Sequence, residues 1–307
     1  MSGTKFDMVT ILGPTASGKT EAAVNLAFKL DGEIISADSR QVYREMNLGT
    51  GKDIEEYRIT GGDIPYHLID IAEAGSQYNV FEFQRDFLDV YHRIQEKGTI
   101  PIMCGGSGMY LEAILKGYRL IQVPVNECRR AELQQSSLKD LTELLMKYKT
   151  LYNKSDTENK KRAVRAIEIE EFCSVHPEMD LSFPVINSLI VGIKYERDSR
   201  RQRITERLRQ RIDDGMIEEV KRLLDKGLKA EDLIYYGLEY KYITLYIIGK
   251  LKYDEMFTGL NTAIHQFAKR QMTWFRKMER EGFQINWLDG NMPANEKTDK
   301  ILFWFNQ

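Results

Sequence analysis

The sequence predicts an α/β protein in which helices flank a parallel sheet and a helical insertion interrupts the sheet. Over residues 1–117, short apolar runs rich in β-branched side chains alternate with longer stretches of helical periodicity. This alternation favours a parallel sheet with helices on both faces. The strand pattern stops over residues 118–184, which are polar and helical, and resumes near residue 184. We therefore predict a core domain of residues 1–117 and 185–307 and a helical insertion of residues 118–184.

The elements can be assigned in chain order from these periodicities. The predicted strands cover residues 6–12, 33–39, 65–71, 99–106, 184–195 and 283–288. The predicted helices of the first domain segment and the insertion cover residues 19–30, 79–98, 109–117, 128–148 and 157–173. The remainder of the chain is predicted to be largely helical.

Composition limits the classes of function. The chain has 307 residues and a net charge of −2, and it contains no apolar run near the roughly 20 residues that cross a bilayer. We therefore expect no membrane partner. Cys104, Cys128 and Cys173 lie far apart and form no Cys/His cluster, which argues against a disulfide framework and a zinc site. These features predict a cytoplasmic protein.

Two segments carry a strong local positive charge despite the acidic total. Residues 194–211 hold eight basic and three acidic side chains, and residues 269–280 hold five basic and one acidic. A solvated helix face is the ordinary interpretation of such a segment. Phosphate contacts, however, depend on local charge, so two basic helices that also carry aromatic side chains indicate a nucleic-acid partner as an alternative.

The segment "GPTASGKT" has the spacing of a phosphate-binding loop (P-loop). Gly13 is followed after four residues by Gly18, Lys19 and Thr20, between a predicted strand and a predicted helix. The backbone N–H groups of such a turn face the ligand at the positive end of the helix dipole. Lys19 adds a charge for phosphate oxygens, and Thr20 a hydroxyl for Mg²⁺. The motif predicts a P-loop NTPase-like sheet that binds a diphosphate or triphosphate.

A carboxylate is expected at the same edge of the sheet. Asp38 follows the strand after the P-loop helix, and the carboxyl ends of parallel strands face the ligand. Asp70 is the other candidate at a strand end. A carboxylate near the bound phosphates can act as a general base or direct a metal ion. The alternative for Asp38 is a turn or capping role before "SRQVY".

An ordered set of motifs resembles the tRNA dimethylallyltransferases, also called tRNA isopentenyltransferases, of bacterial type. The set covers nearly the whole chain and consists of "GPTASGKT", "ISADSRQVYREMNLGTGK", "IPYHLIDI", "IPIMCGGSGMYLEAIL", "NKKRAVRAIE" and "AKRQMTWFR". The resemblance implies that the P-loop holds dimethylallyl diphosphate instead of a nucleotide such as ATP. It further implies transfer of the dimethylallyl group to N6 of adenosine 37 beside the tRNA anticodon, with release of diphosphate.

The resemblance also implies roles for individual residues. Asp38 is expected to accept the N6 proton, with Thr20, Arg203 and Arg207 as further catalytic residues; which arginine faces the diphosphate is left open. The expected diphosphate-binding residues are Gly13, Pro14, Thr15, Ala16, Ser17, Gly18, Lys19 and Thr20. The expected tRNA-binding residues are Asp38, Ser39, Arg40, Gln41, Ser107, Arg129, Lys161, Arg162, Ala163, Val164, Arg165, Lys269, Arg270, Gln271, Met272, Thr273, Trp274, Phe275 and Arg276. Mg²⁺ is the implied cofactor, with Thr20 as a ligand. The implied partner is the anticodon stem-loop of tRNA, clamped by the insertion of a monomeric enzyme.

Some positions depart from the family pattern or stay open. Ser107 replaces the usual threonine, and "GTGKD" replaces Gly-Thr-Ala-Lys-Pro. Around Gly237 the chain has "YYGLEYKYITLY" where the family usually has Gly-Tyr-Lys/Arg, and the tRNA contact there, at Tyr240 or Lys241, is left open. Trp274 has either a core position, which we favour, or a stacking role. The rival functions are a P-loop small-molecule kinase or adenylate-prenylating enzyme, and a non-catalytic RNA-binding module. The helical insertion and "KRQMTWFR" count against the first, and the complete P-loop with Asp38 counts against the second.

Overall fold

The computed structural model describes residues 5–151, 155–177 and 182–307. The excluded positions include parts of the predicted insertion, residues 152–154 and 178–181, which lie outside the described residues. The strands are β1 (Met8–Leu12), β2 (Glu33–Ala37), β3 (Arg58–Ile59), β4 (Gly62–Asp63), β5 (Tyr66–His67), β6 (Pro101–Gly105), β7 (Ser188–Lys194) and β8 (Asn286–Asp289). The helices are α1 (Lys19–Leu30), α2 (Val80–Glu96), α3 (Gly108–Leu115), α4 (Glu127–Gln135), α5 (Leu138–Met146), α6 (Lys160–Val175), α7 (Arg197–Asp213), α8 (Met216–Asp225), α9 (Ala230–Tyr236), α10 (Leu238–Ile247), α11 (Tyr253–Arg280) and α12 (Ala294–Phe305).

Six of the strands form one parallel sheet in the order β5-β2-β6-β1-β7-β8. Every residue of β1, β2 and β6 is buried, as expected for central strands covered on both faces. In the register, Leu12 lies opposite Gly105 and Gly192, and Ala37 lies opposite Gly105. The carboxyl ends of β1, β2 and β6 therefore meet at one edge. The predicted fold class, a P-loop-like α/β sheet flanked by helices, is confirmed.

Two predicted elements differ from the structure for local reasons. The strand expected over residues 65–71 is reduced to Tyr66–His67, because Leu68 and Asp70 adopt left-handed backbone conformations with φ of +61° and +56°. The helix expected over residues 128–148 is divided into α4 and α5. Ser137 starts α5 in a reciprocal capping box with Asp140, a signal that is visible in the sequence.

The chain divides into two compact units, Met1–Tyr118 with Pro184–Gln307, and Arg119–Phe183. In the first unit, α1 and α12 pack on the sheet face that carries Val9 and Ile11. A second apolar core joins α7, α8, α10 and α11 around Leu208, Val220 and Leu260. In the described residues, none of the helices combines the length and apolar character required to cross a membrane.

The second unit is a small helical body with its own core. Leu133, Leu141, Leu145 and Ile167 are buried between α4, α5 and α6. At the edge of this core, the carboxylate of Glu168 is almost fully buried, and its Oε1 accepts a hydrogen bond of 2.8 Å from Nε of Arg130. This unit is therefore held together by both apolar packing and a charge-assisted hydrogen bond.

Candidate functional site

The P-loop runs from the end of β1 into α1 with a backbone path that requires small residues. A Cβ atom on Gly13 would lie 2.5 Å from Oγ of Ser17 and 2.6 Å from the carbonyl oxygen of Ile193. Ala16 and Gly18 are left-handed, with φ of +59° and +76°. No side chain caps the first turn of α1, so its backbone donors face outward for an anion.

A cavity of about 440 Å³ lies beside the P-loop at the carboxyl edge of the sheet. It collects side chains from the P-loop, the segment after β2, the α3 N-terminus and helices α7, α10 and α11. Its lining comprises Thr15, Lys19, Thr20, Asp38, Ser39, Arg40, Gln41, Gly49, Thr50, Gly51, Ser107, Arg207, Arg211, Gly237, Leu238, Glu239, Lys241, Tyr242, Ala263, Ile264, Phe267, Arg270 and Gln271. Residues from distant parts of the chain thus place an anion-binding loop and carboxyl groups around one cavity.

Asp38 occupies the position that the sequence predicted, directly after β2. Its Oδ1 accepts a hydrogen bond of 2.9 Å from the backbone N–H of Arg40, which forms a local turn. Ser107 supports the same segment, because its Oγ accepts a hydrogen bond of 2.9 Å from the N–H of Ser39. Asp38 lines the cavity as well. The turn therefore fixes the carboxyl group at the cavity wall, and the two interpretations of Asp38 are compatible.

The structure separates the two arginines that the sequence left open. Arg207 lines the cavity together with Arg211, one helical turn later. Arg203 packs against the outer side of the P-loop, where its Nε donates to the carbonyl oxygen of Ala16 at 3.4 Å and its guanidinium lies 4.4 Å from the ring centre of Tyr195. Arg211 was missed by sequence analysis, although the four-residue spacing of the three arginines was a usable signal.

One carboxylate holds the two α7 arginines of the cavity. Asp53 forms an ion pair with Arg207 and another, of 3.2 Å, with Arg211. Burial lowers the pKa of Arg211 from its usual value, the charge of Arg207 lowers it further, and Asp53 opposes both effects. Asp53 therefore offsets two like charges at the wall of the cavity.

Gln271 connects the P-loop to the turn after β6. Its side chain is 6% exposed, its Oε1 accepts from the N–H of Thr15 at 2.9 Å, and its Nε2 donates to the carbonyl oxygen of Gly106 at 2.9 Å. Both polar atoms are thus used within the protein. Gln271 was predicted to bind tRNA, but the structure gives it a role in fixing the shape of the site.

We expect Gln271→Ala to destabilise the protein by roughly 1–3 kcal/mol, because it leaves a buried carbonyl and a P-loop N–H without partners. Urea unfolding measures this change. Thr273→Ala is the matched control on the same helix, since this residue is exposed and its hydroxyl donates to the carbonyl oxygen of Lys269 in the preceding turn. Equal stability of the two variants would contradict the bridging role.

The other predicted tRNA-binding residues of α11 include both buried and exposed side chains. Met272 and Phe275 are buried in the core, so their side chains offer no surface to a tRNA, contrary to expectation. Trp274 is half-buried against Gly108, where an added Cβ would overlap its ring, and its Nε1 is buried without a hydrogen-bond partner among the described residues. The exposed members are Lys269, Arg270, Thr273 and Arg276.

The predicted tRNA-binding residues of the second unit also include both buried and exposed side chains. Ala163 and Val164 are buried in its core, which excludes direct contact through their side chains. Lys161 and Arg162 are exposed. Arg129 pairs with Glu171 at 2.6 Å, and Arg165 donates to the carbonyl oxygen of Val123 at 2.9 Å. Arg162 is engaged within the unit as well, because it pairs with Glu158.

Glu219 supports the cavity from behind, and sequence analysis assigned it no role. Its carboxylate, on a residue 2% exposed, accepts the N–H groups of Asn47, Leu48 and Gly49 at 3.0, 2.8 and 3.1 Å. The hydroxyl of Tyr240 donates to the same carboxylate at 2.8 Å. Glu219 therefore anchors the segment whose next residues line the cavity.

Comparisons with known proteins show the family of the chain. The model of the IPP transferase family matches residues 41–278. A protein named tRNA dimethylallyltransferase 2 from Bacteroides fragilis is 62% identical over 296 residues, which cover 96% of this chain and 97% of that relative. A protein of the same name from Porphyromonas gingivalis is 57% identical and covers 96% of this chain and 98% of its own length.

Solved structures show the same fold. The full-length tRNA isopentenylpyrophosphate transferase from Bacillus halodurans has a TM-score of 0.70 and 31% identity, covering 98% of this chain and 95% of that one. A eukaryotic dimethylallyltransferase acting on tRNA has a TM-score of 0.76 at 21% identity, covering 92% of this chain and 73% of that one, a similarity of fold.

Proposed function

The chain belongs to the IPP transferase family, and on this premise we propose that it transfers a dimethylallyl group to tRNA. In the finer form of the proposal, the donor is dimethylallyl diphosphate and the acceptor is N6 of adenosine 37, beside the anticodon. The observation that carries this proposal is a single cavity in which the P-loop, two arginines and Asp38 surround the same space. A diphosphate and a nucleophile that must lose a proton both fit such surroundings.

The reaction is a substitution at the allylic carbon. N6 of adenine forms the new C–N bond while the bond from this carbon to the diphosphate oxygen breaks. The electron pair of that bond leaves with the diphosphate, so negative charge grows there. P-loop N–H groups, Lys19, Arg207 and Arg211 stabilise this charge, and each well-placed donor contributes roughly 3 kcal/mol. Asp38 accepts the proton that N6 loses.

The P-loop also suits Mg²⁺ bound with the diphosphate. Among the described residues no group of three His, Cys, Asp or Glu side chains is arranged to hold a metal ion, so a cation here needs diphosphate oxygens as ligands. Thr20 lines the cavity, and the nearby Oγ of Ser17 is buried without a partner in the described part of the chain. We propose Thr20 as the protein ligand; bound Mg²⁺ would neutralise charge on the leaving diphosphate.

The acceptor must reach the cavity beside the P-loop. An adenine inside a stacked loop cannot place N6 near Asp38, so the base has to leave its stack. Unstacked loop bases with phosphates paired to basic groups are the usual form of RNA recognition. Exposed cations such as Lys161, Arg162, Lys269 and Arg276 supply such groups, and we propose the tRNA anticodon stem-loop as their partner.

We further propose that the enzyme acts on tRNA as a monomer in the cytoplasm, where tRNA and unpaired cysteines are both expected.

The test is mass spectrometry of nucleosides from unmodified tRNA incubated with the protein, MgCl₂ and dimethylallyl diphosphate. We expect N6-dimethylallyladenosine, and we expect its rate of formation to fall by at least about tenfold when EDTA replaces MgCl₂, because charge on the leaving group is then less well stabilised. Restoring MgCl₂ should restore the rate. Equal rates with and without the metal would contradict the proposed cofactor but not the transfer itself.

Two further incubations separate the rival functions. AMP in place of tRNA tests an adenylate-prenylating enzyme, and ATP with small acceptors tests a kinase. Modification of AMP in preference to tRNA, or consumption of ATP without any prenylated nucleoside, would overturn the proposed function. Binding of tRNA without product under every condition would favour the non-catalytic RNA-binding module.

A further inference from the structure

Glu239 is a carboxyl group in the cavity that the proposed mechanism does not use. It lies in the first turn of α10 and lines the cavity that also holds Asp38. The two preceding residues, Gly237 and Leu238, are both left-handed, with φ of +75° and +40°. A left-handed leucine is an unfavourable conformation, and strained backbone of this kind concentrates at functional sites. The local chain is thus bent in a way that brings Glu239 to the cavity wall.

The surroundings of Glu239 favour its uncharged form. Burial raises the pKa of this carboxyl to about 7, and the negative charge of Asp38 contributes in the same direction. Its own backbone N–H, Arg211 on α7 and Arg40 after β2 act in the opposite direction. Lys241, on the same helix as Glu239, also lines the cavity. Burial and the charge of Asp38 thus favour the protonated form of Glu239 more than for an ordinary glutamate.

Two ordinary roles for an acid at this position do not account for it. An acid in a first helical turn is normally ionised by the helix dipole, which is the reverse of what burial does here. A structural acid near arginines normally forms an ion pair, but in the described residues the nearby Arg211 pairs with Asp53 and no cation lies within 4.0 Å of the Glu239 carboxyl. Glu239 therefore lines the cavity without an ion-pair partner among the described residues.

We propose that the Glu239 carboxyl group, which lines the same cavity as Asp38, positions the target adenine through a pair of hydrogen bonds. The O–H donates to a ring nitrogen of the base, and the carbonyl oxygen accepts one hydrogen of the N6 amino group. The other N6 hydrogen then remains for Asp38 on the cavity wall. This inference rests on the proposed function and names a residue that orients the acceptor in it. An uncharged acid matches an adenine edge because it offers one donor beside one acceptor.

The experiment compares wild type, Glu239→Gln and Glu239→Ala between pH 6 and pH 9 with an anticodon stem-loop substrate. A glutamine keeps a donor beside an acceptor and does not ionise. We expect kcat/KM for the RNA to fall above about pH 7 in wild type, and Glu239→Gln to hold its pH 7 value to higher pH. Glu239→Ala should lose roughly 10- to 100-fold in kcat/KM for the RNA at pH 7, the range of a paired base contact. The KM for dimethylallyl diphosphate should stay unchanged.

Glu231→Gln is the matched control, since Glu231 is an exposed acid in the first turn of α9. It should leave the pH profile and both KM values unchanged. Loss of activity in Glu239→Gln equal to that in Glu239→Ala, an alkaline fall that persists in Glu239→Gln, or full activity of Glu239→Ala would each overturn the inference while wild type still makes product. Absence of product from wild type would overturn the proposed function, and the inference with it.

Discussion

Replacing Asp38 with asparagine is expected to lower kcat for tRNA prenylation by roughly 10²- to 10⁴-fold, the usual contribution of a positioned general base. An adenine amine is a weak nucleophile and has to lose a proton as it attacks. Asparagine keeps the Oδ1 acceptor that binds the N–H of Arg40, so the turn at the cavity wall is preserved. The substitution therefore removes the base without removing the scaffold. Single-turnover rates at saturating RNA and diphosphate substrate measure the effect.

Asp70→Asn is the control, because Asp70 was the other acid that the sequence placed at a strand end. In the structure its Oδ1 lies 2.5 Å from Nζ of Lys52, whose side chain is fully buried. We expect this variant to lose stability instead of catalytic rate. RNA binding by Asp38→Asn should stay within about threefold of wild type, since one hydrogen-bond acceptor is retained. A rate for Asp38→Asn close to that of wild type would exclude Asp38 as the base.

The parts of the site that could be predicted from sequence are those that depend on neighbouring residues along the chain. The P-loop is a local motif, and its glycines report a backbone path that few other residues can follow. Asp38 was predictable because a parallel sheet brings the carboxyl ends of its strands to one edge. The same rule also proposed Asp70, and the left-handed backbone at Leu68 and Asp70 ended that strand early. Local signals thus identified the edge of the sheet but did not decide between the two acids.

The parts that could not be predicted depend on which face of a helix is covered. Gln271 lies within a basic, aromatic segment, and nothing in the sequence says that this position points at the P-loop. The same is true of Glu239, which reaches the cavity only because α10 packs beside it. The spacing of Arg203, Arg207 and Arg211 marks one face of α7, but it does not say what that face contacts. Periodicity shows that a helix has two faces, but the identity of its neighbour is set by tertiary packing. Functional residues on α7, α10 and α11 therefore emerge from the structure.

Replacing Glu219 with alanine is expected to cost roughly 3–5 kcal/mol in the free energy of unfolding. Glu219 accepts three backbone N–H groups from residues 47–49 and the hydroxyl of Tyr240. Alanine would leave these donors without their protein partner, and the N–H of Gly49 and the hydroxyl of Tyr240 are buried away from water. Such a loss lies at the upper end of what single substitutions cause. Urea or thermal unfolding, followed by circular dichroism, measures it.

Glu218→Ala is the control that separates the effect of the hydrogen bonds of Glu219 from the effect of an acid on the helix dipole. Glu218 and Glu219 are adjacent acids in the first turn of α8, but Glu218 is exposed. Its removal should cost no more than about 1 kcal/mol, the contribution of an acid near a helix N-terminus. A similar cost for both variants would show that the dipole, not the anchored segment, accounts for Glu219. If the difference is large, Glu219 holds the wall formed by Gly49, Thr50 and Gly51, and the site depends on a residue that has no contact with either substrate.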